Sequence, residues 1–166
     1  MTFASAECFT HCQIGIKIHH LSAPYTPNPL PLKVVFAGFF PTVESAEKLL
    51  KVKLPKPQHT IKGIKVYDEE RDLEAAFLLA RGVKDIFNAE IAVGSSAGIG
   101  RGAVVIIYNG KTYFLRSQVS ANLLSSSTEE IKKRSQSAAE LTVKAIISLV
   151  KHKKIPPFLE ALNWTK

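Results

Sequence analysis

The amino-acid sequence predicts a mixed α/β domain in which helices cover both faces of a sheet, a three-layer-like arrangement. Three observations lead to this prediction. Amphipathic helical segments alternate with short apolar strands, Asn109-Gly110 joins two β-branched segments, and 166 residues match the length of one domain. Because Asn-Gly favours a tight two-residue turn, the sheet contains an antiparallel hairpin and is mixed. We expect a single domain over residues 1–166.

The N-terminal part supplies the first predicted strands. Residues 2–6 are extended in character, and the alternation of isoleucines over residues 14–18 favours a strand, although a helix over residues 8–18 is an alternative. Four prolines in residues 24–32 exclude a helix and a central strand there. The apolar run over residues 33–40 predicts a buried strand covered on both faces.

Capping residues mark the first helices. Thr42 can cap a short helix in which Leu49 and Leu50 face inward. Asp68 can cap the next helix, which is expected to end near residue 81 with Gly82 as its C′ residue.

The C-terminal half is predicted to contain the hairpin and a long helix. Strands are expected over residues 89–93, 103–108 and 112–116. Ser127 opens a capping box, and the helix that follows runs to about residue 151. We assign the basic residues 132–134 to its solvated face. A short helix over residues 158–164 is expected to dock the terminus.

Composition and charge restrict the class of protein. There are 22 basic and 14 acidic residues, and the net charge of +8 favours anionic partners. Nucleic acid is not favoured, since no aromatic residues are interleaved with the basic ones to stack bases. The two cysteines exclude a disulfide scaffold and fit a reducing compartment. No apolar run is long enough for a membrane span and no secretory signal is evident, so we expect a cytoplasmic protein.

The segment around Cys8 is the first candidate site. If a helix begins at Cys8, its dipole favours the thiolate, the strongest side-chain nucleophile. His11 lies three residues on and could pair with the thiol, and Glu7 and Thr10 are candidate binding residues. Inert packing of a buried thiol, or a metal site formed with His11 and Cys12, remains an alternative, but the paired C-x-x-C spacing of zinc sites is absent.

A glycine-rich loop over residues 94–102, called the glycine loop below, is the second candidate site. Glycines let the backbone approach a ligand and direct successive amides at an anion. The segment is not a dinucleotide fingerprint, because a strand follows it, and it lacks the Lys-Ser/Thr of a P-loop. The alternative is an irregular turn between strands. The candidate binding residues are Ser95, Ser96, Gly98, Gly100 and Arg101.

Four motifs in order along the chain resemble the HcgF family of hydrogenotrophic methanogens. They are Ala6-Glu7-Cys8-Phe9-Thr10-His11, Ile14-Gly15-Ile16-Lys17-Ile18-His19, Pro55-Lys56-Pro57 and Ser96 to Ala103. The resemblance implies a role in making the iron-guanylylpyridinol cofactor of the iron-only hydrogenase. It also implies that a partner enzyme adenylates the carboxylate of guanylylpyridinol. Cys8, which matches the family's cysteine, then takes the acyl group as a thioester.

This resemblance implies an acyl transfer to an active-site cysteine, with guanylylpyridinol as the substrate. No tightly bound cofactor or metal is expected, and iron would be delivered later. Whether the protein is a catalyst or a carrier, and whether it forms a homodimer, is left open. Cys12 and the proline-rich loop over residues 24–32 depart from the family pattern.

The segment Ala6-Glu7-Cys8 also resembles Ala-Glu-Ser at the start of the CinA C-terminal domain, the nicotinamide mononucleotide deamidases. Cys8 falls where that family has its nucleophilic serine, and the loop from Ser96 to Gly102 resembles its Thr-Gly-Ile-Ala-Gly-Pro-Gly-Gly segment. The likeness implies a CinA C-terminal-like fold. It also implies an alternative function, a pyridine-nucleotide amidohydrolase. A basic RNA- or protein-binding module without chemistry is the third hypothesis.

Overall fold

The computed structural model describes residues 1–164 and shows a six-stranded sheet between two layers of helices, with two further two-stranded sheets. The helices of this range are α1 (Gln13–Ser22), α2 (Val43–Leu50), α3 (Glu69–Phe87) and α4 (Thr128–Ile147), and a π-helical turn, Ser148–His152, extends α4. The strands are β1 (Thr2–Glu7), β2 (Lys33–Phe39), β3 (His59–Ile61), β4 (Ile64–Val66), β5 (Ile91–Ser96), β6 (Ile99–Gly100), β7 (Ala103–Tyr108), β8 (Lys111–Leu115), β9 (Ala121–Asn122) and β10 (Glu160–Ala161).

The main sheet has six strands in the order β10-β8-β7-β5-β1-β2, and the two-stranded sheets are β3-β4 and β6-β9. The strand β1 runs parallel to both of its neighbours, and the other pairs are antiparallel, so the sheet is mixed as predicted. Asn109 and Gly110, both with positive φ, form the predicted turn between β7 and β8. At the carboxyl end of β1, Glu7 lies opposite Phe39 of β2 and Ser95 of β5.

The helices divide between the two faces of the sheet. Ile14 and Ile18 of α1 pack with α4 on one face, together with Phe3 of β1. Ala4 and Ala6 of β1 point to the other face, which α2 and α3 cover. Because α1 and α3 lie on opposite faces, the carboxyl end of β1 lies where ligands bind in open α/β sheets.

Several local predictions are wrong. Residues 14–18 lie in a helix, because Ile14 and Ile18 are buried one turn apart while Ile16 is exposed. The helix α3 continues past Gly82 to an Asn88 cap. Gly82 has a packing role, since a Cβ there would lie 2.9 Å from side chains of the α2 segment.

Edges of the fold also differ from expectation. The strand β2 is a sheet edge and is only partly covered, so its apolar run marks an edge strand. Leu49 is 61% exposed, whereas Leu50 faces inward as predicted.

The C-terminal helix predicted over residues 158–164 is absent from the structure. The strand β10 lies there instead and pairs with β8. No helix within residues 1–164 is long and apolar enough to cross a membrane.

Candidate functional site

Cys8 lies at the carboxyl end of β1, in the turn that leads to α1. Its amide donates to both the backbone oxygen and the Oγ of Ser95, each at 3.1 Å, which fixes the turn to β5. The residue is only 5% exposed. The condition that a helix begins at Cys8 is not met, because α1 starts at Gln13, so the helix dipole does not act directly at the thiol.

Hydrogen bonds to the Glu7 carboxylate hold this turn in place. The residue is fully buried, and its carboxylate accepts hydrogen bonds from Ser5 Oγ at 2.8 Å, Thr10 Oγ1 at 2.7 Å, and the amides of Ile14 and Gly15 at 3.1 and 2.8 Å. Both amides belong to the first turn of α1, where backbone N–H groups lack helical acceptors. Glu7 therefore caps α1 and attaches it to β1, and its acceptor sites are occupied by the chain itself.

A pocket of about 70 Å³ opens beside Cys8. Its walls are mostly apolar, which limits access of water to the thiol. The space corresponds to about two water molecules in the liquid, enough for an acyl group but not for a nucleotide. The lining residues are Cys8, Phe9, His11, Phe39, Pro41, Ile64, Ala97, Leu123, Ile131 and Arg134.

His11 lines the same pocket from the turn. Its ring meets Phe39 edge-on, with 5.5 Å between ring centroids. The residue is exposed as a whole, yet partial burial lowers the pKa of His11 below its ordinary 6.5, although the negative charge of Glu7 acts in the opposite direction. The imidazole is therefore neutral at pH 7 and able to accept a proton.

Cys12 is the N-cap residue of α1 and lies outside this pocket. Burial, together with the charge of Glu7, raises the pKa of the Cys12 thiol to about 11. Cys12 and His11 both have positive φ, 61° and 50°, a conformation that costs energy for residues other than glycine. The fold thus holds a strained turn between Cys8 and α1.

Arg134, a residue that sequence reasoning assigned to solvent, lies beside the thiol. It is only 1% exposed, and its Nη1 donates to the carbonyls of Gly98 at 3.0 Å, Gly100 at 2.9 Å and Ala121 at 2.7 Å. Its Cζ lies 5.7 Å from the centre of the Phe9 ring. The prediction of a solvated face at residue 134 is wrong.

The residue spacing in the sequence is consistent with the burial of Arg134. Ile131, Arg134 and Ala138 are spaced by three and four residues, which places the arginine on the apolar side of α4. The exposed Lys132 and Lys133 beside it masked that spacing.

The glycine loop binds to the chain's own carboxylates. The Gly98 amide donates to Asp72 Oδ2 at 2.8 Å, Ser96 Oγ donates to Asp72 Oδ1 at 2.8 Å, and the Arg101 amide donates to Glu69 Oε1 at 2.7 Å. These donors are consequently not available to a phosphate, and the expected anion-binding role of these amides is not supported. Ala97 is the residue of this loop that lines the pocket.

Asp72, below the loop, is a buried carboxyl group. Desolvation raises its pKa to about 7, although the hydrogen bonds from Gly98 and Ser96 and the charges of Arg134 and Lys65 act in the opposite direction. The ammonium group of Lys65, itself buried, donates to the Phe40 carbonyl at 2.7 Å. Two buried polar side chains, Asp72 and Lys65, thus hydrogen-bond to segments that line the pocket.

Of the predicted site residues, Cys8 and His11 reach the pocket. Glu7, Thr10 and Ser95 lie behind the thiol, with the Thr10 and Ser95 hydroxyl oxygens 2.8 Å apart. Ser96 and Gly98 lie at Asp72, and Gly100 and Arg101 lie at Glu69. Sequence reasoning missed Arg134 and the apolar walls Phe39, Ile64, Leu123 and Ile131. Across the described part of the chain, no group of three or more His, Cys, Asp or Glu residues is placed to hold a metal ion.

Comparison with known proteins decides the family. Residues 1–150 match the family described as FeGP cofactor biosynthesis protein HcgF. The chain belongs to the HcgF family. The predicted resemblance is confirmed, and the family assignment places this protein in FeGP cofactor biosynthesis.

Relatives of this HcgF family protein come from methanogens. A UPF0254 protein of Methanocaldococcus jannaschii is 40% identical over 164 residues, covering 91% of this chain and 97% of its own. A UPF0254 protein of Methanococcus vannielii is 34% identical over 159 residues, covering 90% of this chain and 95% of its own.

Solved structures confirm the predicted CinA-like fold. A CinA superfamily protein from Enterobacter cloacae superposes with a TM-score of 0.54 at 14% identity, covering 87% of this chain and 81% of its own. A competence or damage-inducible protein from Enterobacter asburiae gives 0.53 at 15% identity, covering 87% of each chain. At this identity the likeness shows the architecture that the HcgF family chain shares with them.

Proposed function

We propose that, within FeGP cofactor biosynthesis, this protein accepts the activated carboxyl group of guanylylpyridinol as a thioester on Cys8. The observation that carries the proposal is the position of the thiol. Cys8 lies at the carboxyl end of the central parallel strand, in a mostly apolar pocket large enough for an acyl group. Family membership gives the pathway, and the pocket beside the thiol supports Cys8 as the covalent site.

The reaction begins from an acyl-adenylate, because a free carboxylate is a poor electrophile. The sulfur of Cys8 attacks the acyl carbon and forms the C–S bond. The bond from the acyl carbon to the adenylate oxygen breaks, and AMP leaves with the electron pair. An adenylating enzyme of the same pathway is the partner that must supply this substrate.

His11 is the proton acceptor in this proposal. It lines the pocket with Cys8 and is neutral at pH 7, since its pKa lies below 6.5. Removing the thiol proton generates the nucleophile. The apolar walls keep water from the product thioester, so the acyl group persists for a later step.

The size of the pocket sets the orientation of the substrate. Because about 70 Å³ holds only an acyl group and its immediate neighbours, the guanylyl part lies outside the opening. The acyl transfer needs no resident metal or cofactor, and iron is cargo that joins the product afterwards.

The test is intact mass measurement after incubation with guanylylpyridinol, ATP and the adenylating enzyme. Wild-type protein is expected to gain one guanylylpyridinol acyl group. Cys8→Ser should lose the adduct, and the matched Cys12→Ser should keep it, because burial holds the Cys12 thiol protonated at neutral pH. An adduct that persists in Cys8→Ser and maps to another residue contradicts the proposal.

The shared CinA architecture favours one alternative, a pyridine-nucleotide amidohydrolase with Cys8 as nucleophile. Its signature is ammonia release from nicotinamide mononucleotide. Turnover of about one per second or faster, without a persistent adduct, would select this alternative over the acyl acceptor.

A further inference from the structure

We propose that the guanidinium group of Arg134 forms an anion subsite that holds a carboxylate or oxyanion oxygen next to the Cys8 sulfur. The identity of the acyl group rests on the function proposed above, whereas the anion subsite itself does not. The argument uses the burial of Arg134, its incomplete hydrogen bonding and its place in the pocket.

Arg134 carries a buried positive charge that has no direct ion-pair partner among the described residues. Only 1% of the residue is exposed, and no carboxylate within residues 1–164 lies within 4.0 Å of its nitrogens. A guanidinium cannot release its proton at physiological pH, and a buried charge without a counter-ion is destabilising. A bound anion at this position would remove that cost.

The hydrogen bonding of Arg134 is incomplete on one side. Nη1 donates to three carbonyls, but Nε is buried and has no acceptor among the described residues. A buried donor without an acceptor is uncommon in a native fold and points to a ligand atom that completes it. The planar guanidinium suits a carboxylate oxygen well.

The same group is fixed in place at the thiol. Arg134 and Cys8 line one pocket, and the three carbonyls and the Phe9 ring hold the guanidinium plane. A donor that is held before the ligand arrives stabilises developing negative charge without having to reorganise. Attack by the Cys8 thiolate on an acyl carbon creates such an oxyanion, so Arg134 would stabilise both the nucleophile and the intermediate.

The buried acid Asp72 acts on Arg134 through space, without a hydrogen bond or ion pair between the two side chains. Its two oxygens are already bound by Ser96 Oγ and the Gly98 amide. The second buried cation of this region, Lys65, donates to a backbone carbonyl and contributes further positive charge. Glu7, the buried acid behind the thiol, contributes negative charge, but its oxygens accept four hydrogen bonds from the chain itself. Arg134 is therefore the charged group of the pocket wall that still has a free donor for an anionic ligand.

Alkylation of Cys8 tests the subsite without the biosynthetic substrate. In the Cys12→Ser background, we would measure rate constants for anionic iodoacetate and for neutral iodoacetamide at constant ionic strength. In both reactions the sulfur forms a C–S bond and iodide leaves. The iodoacetate-to-iodoacetamide ratio at Cys8 should exceed that of free mercaptoethanol about tenfold, because the reagent's carboxylate binds Arg134.

Variants assign this preference to one residue. Arg134→Met should lower the ratio to that of mercaptoethanol, Arg134→Lys should retain part of it, and the exposed Lys132→Met, which removes the same charge two residues away, should leave it unchanged. The proposal is overturned if the iodoacetate-to-iodoacetamide ratio at Cys8, measured in the Cys12→Ser protein, is no greater than that of mercaptoethanol. This measurement does not depend on whether Arg134→Met folds.

The two proposals fail separately. If Cys8 prefers iodoacetate but forms no thioester, the anion subsite stands and the acyl-acceptor function is wrong. If a thioester forms while the preference is absent, the function stands and the role of Arg134 is wrong.

Discussion

Cys8 and Cys12 lie four residues apart in one turn, yet their surroundings differ. Cys8 lines a pocket with a buried arginine, whereas Cys12 occupies the N-cap position of α1 without a side-chain cap hydrogen bond, and burial and Glu7 raise the pKa of its thiol to about 11. The thiolate is the reactive form of cysteine, so the Cys12 thiol is a poor nucleophile at neutral pH. The immediate environment therefore distinguishes two residues of identical chemistry.

At the residue scale, His11→Ala should slow thioester formation at pH 7 by about 100-fold, because removing a positioned proton acceptor typically costs that much. The half-life of the finished thioester should change little, since its cleavage does not use His11. In the wild type the rate should fall as the pH drops through the pKa of His11, which lies below 6.5. Rapid-quench mass measurements give both rates.

The control for this variant is His19→Ala, on the exposed side of α1. It should leave the rate of thioester formation and its pH profile unaltered. A His11→Ala protein that forms the adduct at the wild-type rate would show that bulk water takes the thiol proton.

At the element scale, the unit of β1, the turn and α1 depends on one carboxylate. Glu7 accepts four hydrogen bonds, two of them from amides in the first turn of α1. Gly15 lets the helix lie close to the sheet, because a Cβ there would lie 2.4 Å from that of Ala37. The position of Cys8 follows from this attachment.

Glu7→Gln should destabilise this unit. Each carboxylate oxygen accepts from one hydroxyl and one backbone N–H. The hydroxyl can turn to accept from the new NH₂ group, but the backbone N–H that faces it loses its acceptor, at a cost of about 2–4 kcal/mol. Urea unfolding followed by circular dichroism measures the loss. The exposed Glu140→Gln on α4 is the matched control and should change the free energy of unfolding by less than about 0.5 kcal/mol.

The prediction is contradicted if the Glu7→Gln protein keeps wild-type stability but binds the substrate more weakly. That result would show that the carboxylate contacts the ligand, as the sequence alone suggested, rather than holding α1.

At the scale of the whole molecule, Asp72 links stability to pH. Burial raises its pKa from 3.8 to about 7, so between these values the folded protein binds more protons than the unfolded chain. The contribution of Asp72 to the free energy of unfolding therefore falls as the pH rises through this window. Above about pH 7 the carboxyl is ionised in both states and the contribution is constant.

Asp72→Asn should remove this dependence. The amide can accept from the Gly98 N–H and donate to Ser96 Oγ, as the protonated carboxyl does. The stability of the variant relative to wild type should rise between pH 4.5 and 7.5 by on the order of 2–4 kcal/mol. Denaturant titrations at several pH values measure the difference, and the exposed Asp85→Asn on α3 is the control. Parallel curves for wild type and Asp72→Asn would contradict the raised pKa.

Elements with strong local signals were predicted well. The Asn109-Gly110 hairpin and the caps at Thr42, Asp68 and Ser127 are observed, because turn and cap chemistry acts within a few residues. The segment over residues 14–18 was misassigned, since five residues with alternating isoleucines fit both a strand and one face of a helix.

By itself, the sequence determined the three-layer class, the mixed sheet, the family and the cysteine that ends β1. Each of these depends on local periodicity or on an ordered set of short motifs. The tertiary structure alone decided which groups meet at that cysteine. Arg134 is 126 residues away along the chain, and it reaches the pocket because α4 packs with α1 over the same face of the sheet. Desolvation is likewise a property of the assembled fold, so the raised pKa of Asp72 and the burial of the Arg134 charge without a direct ion pair could not be derived from residue spacing.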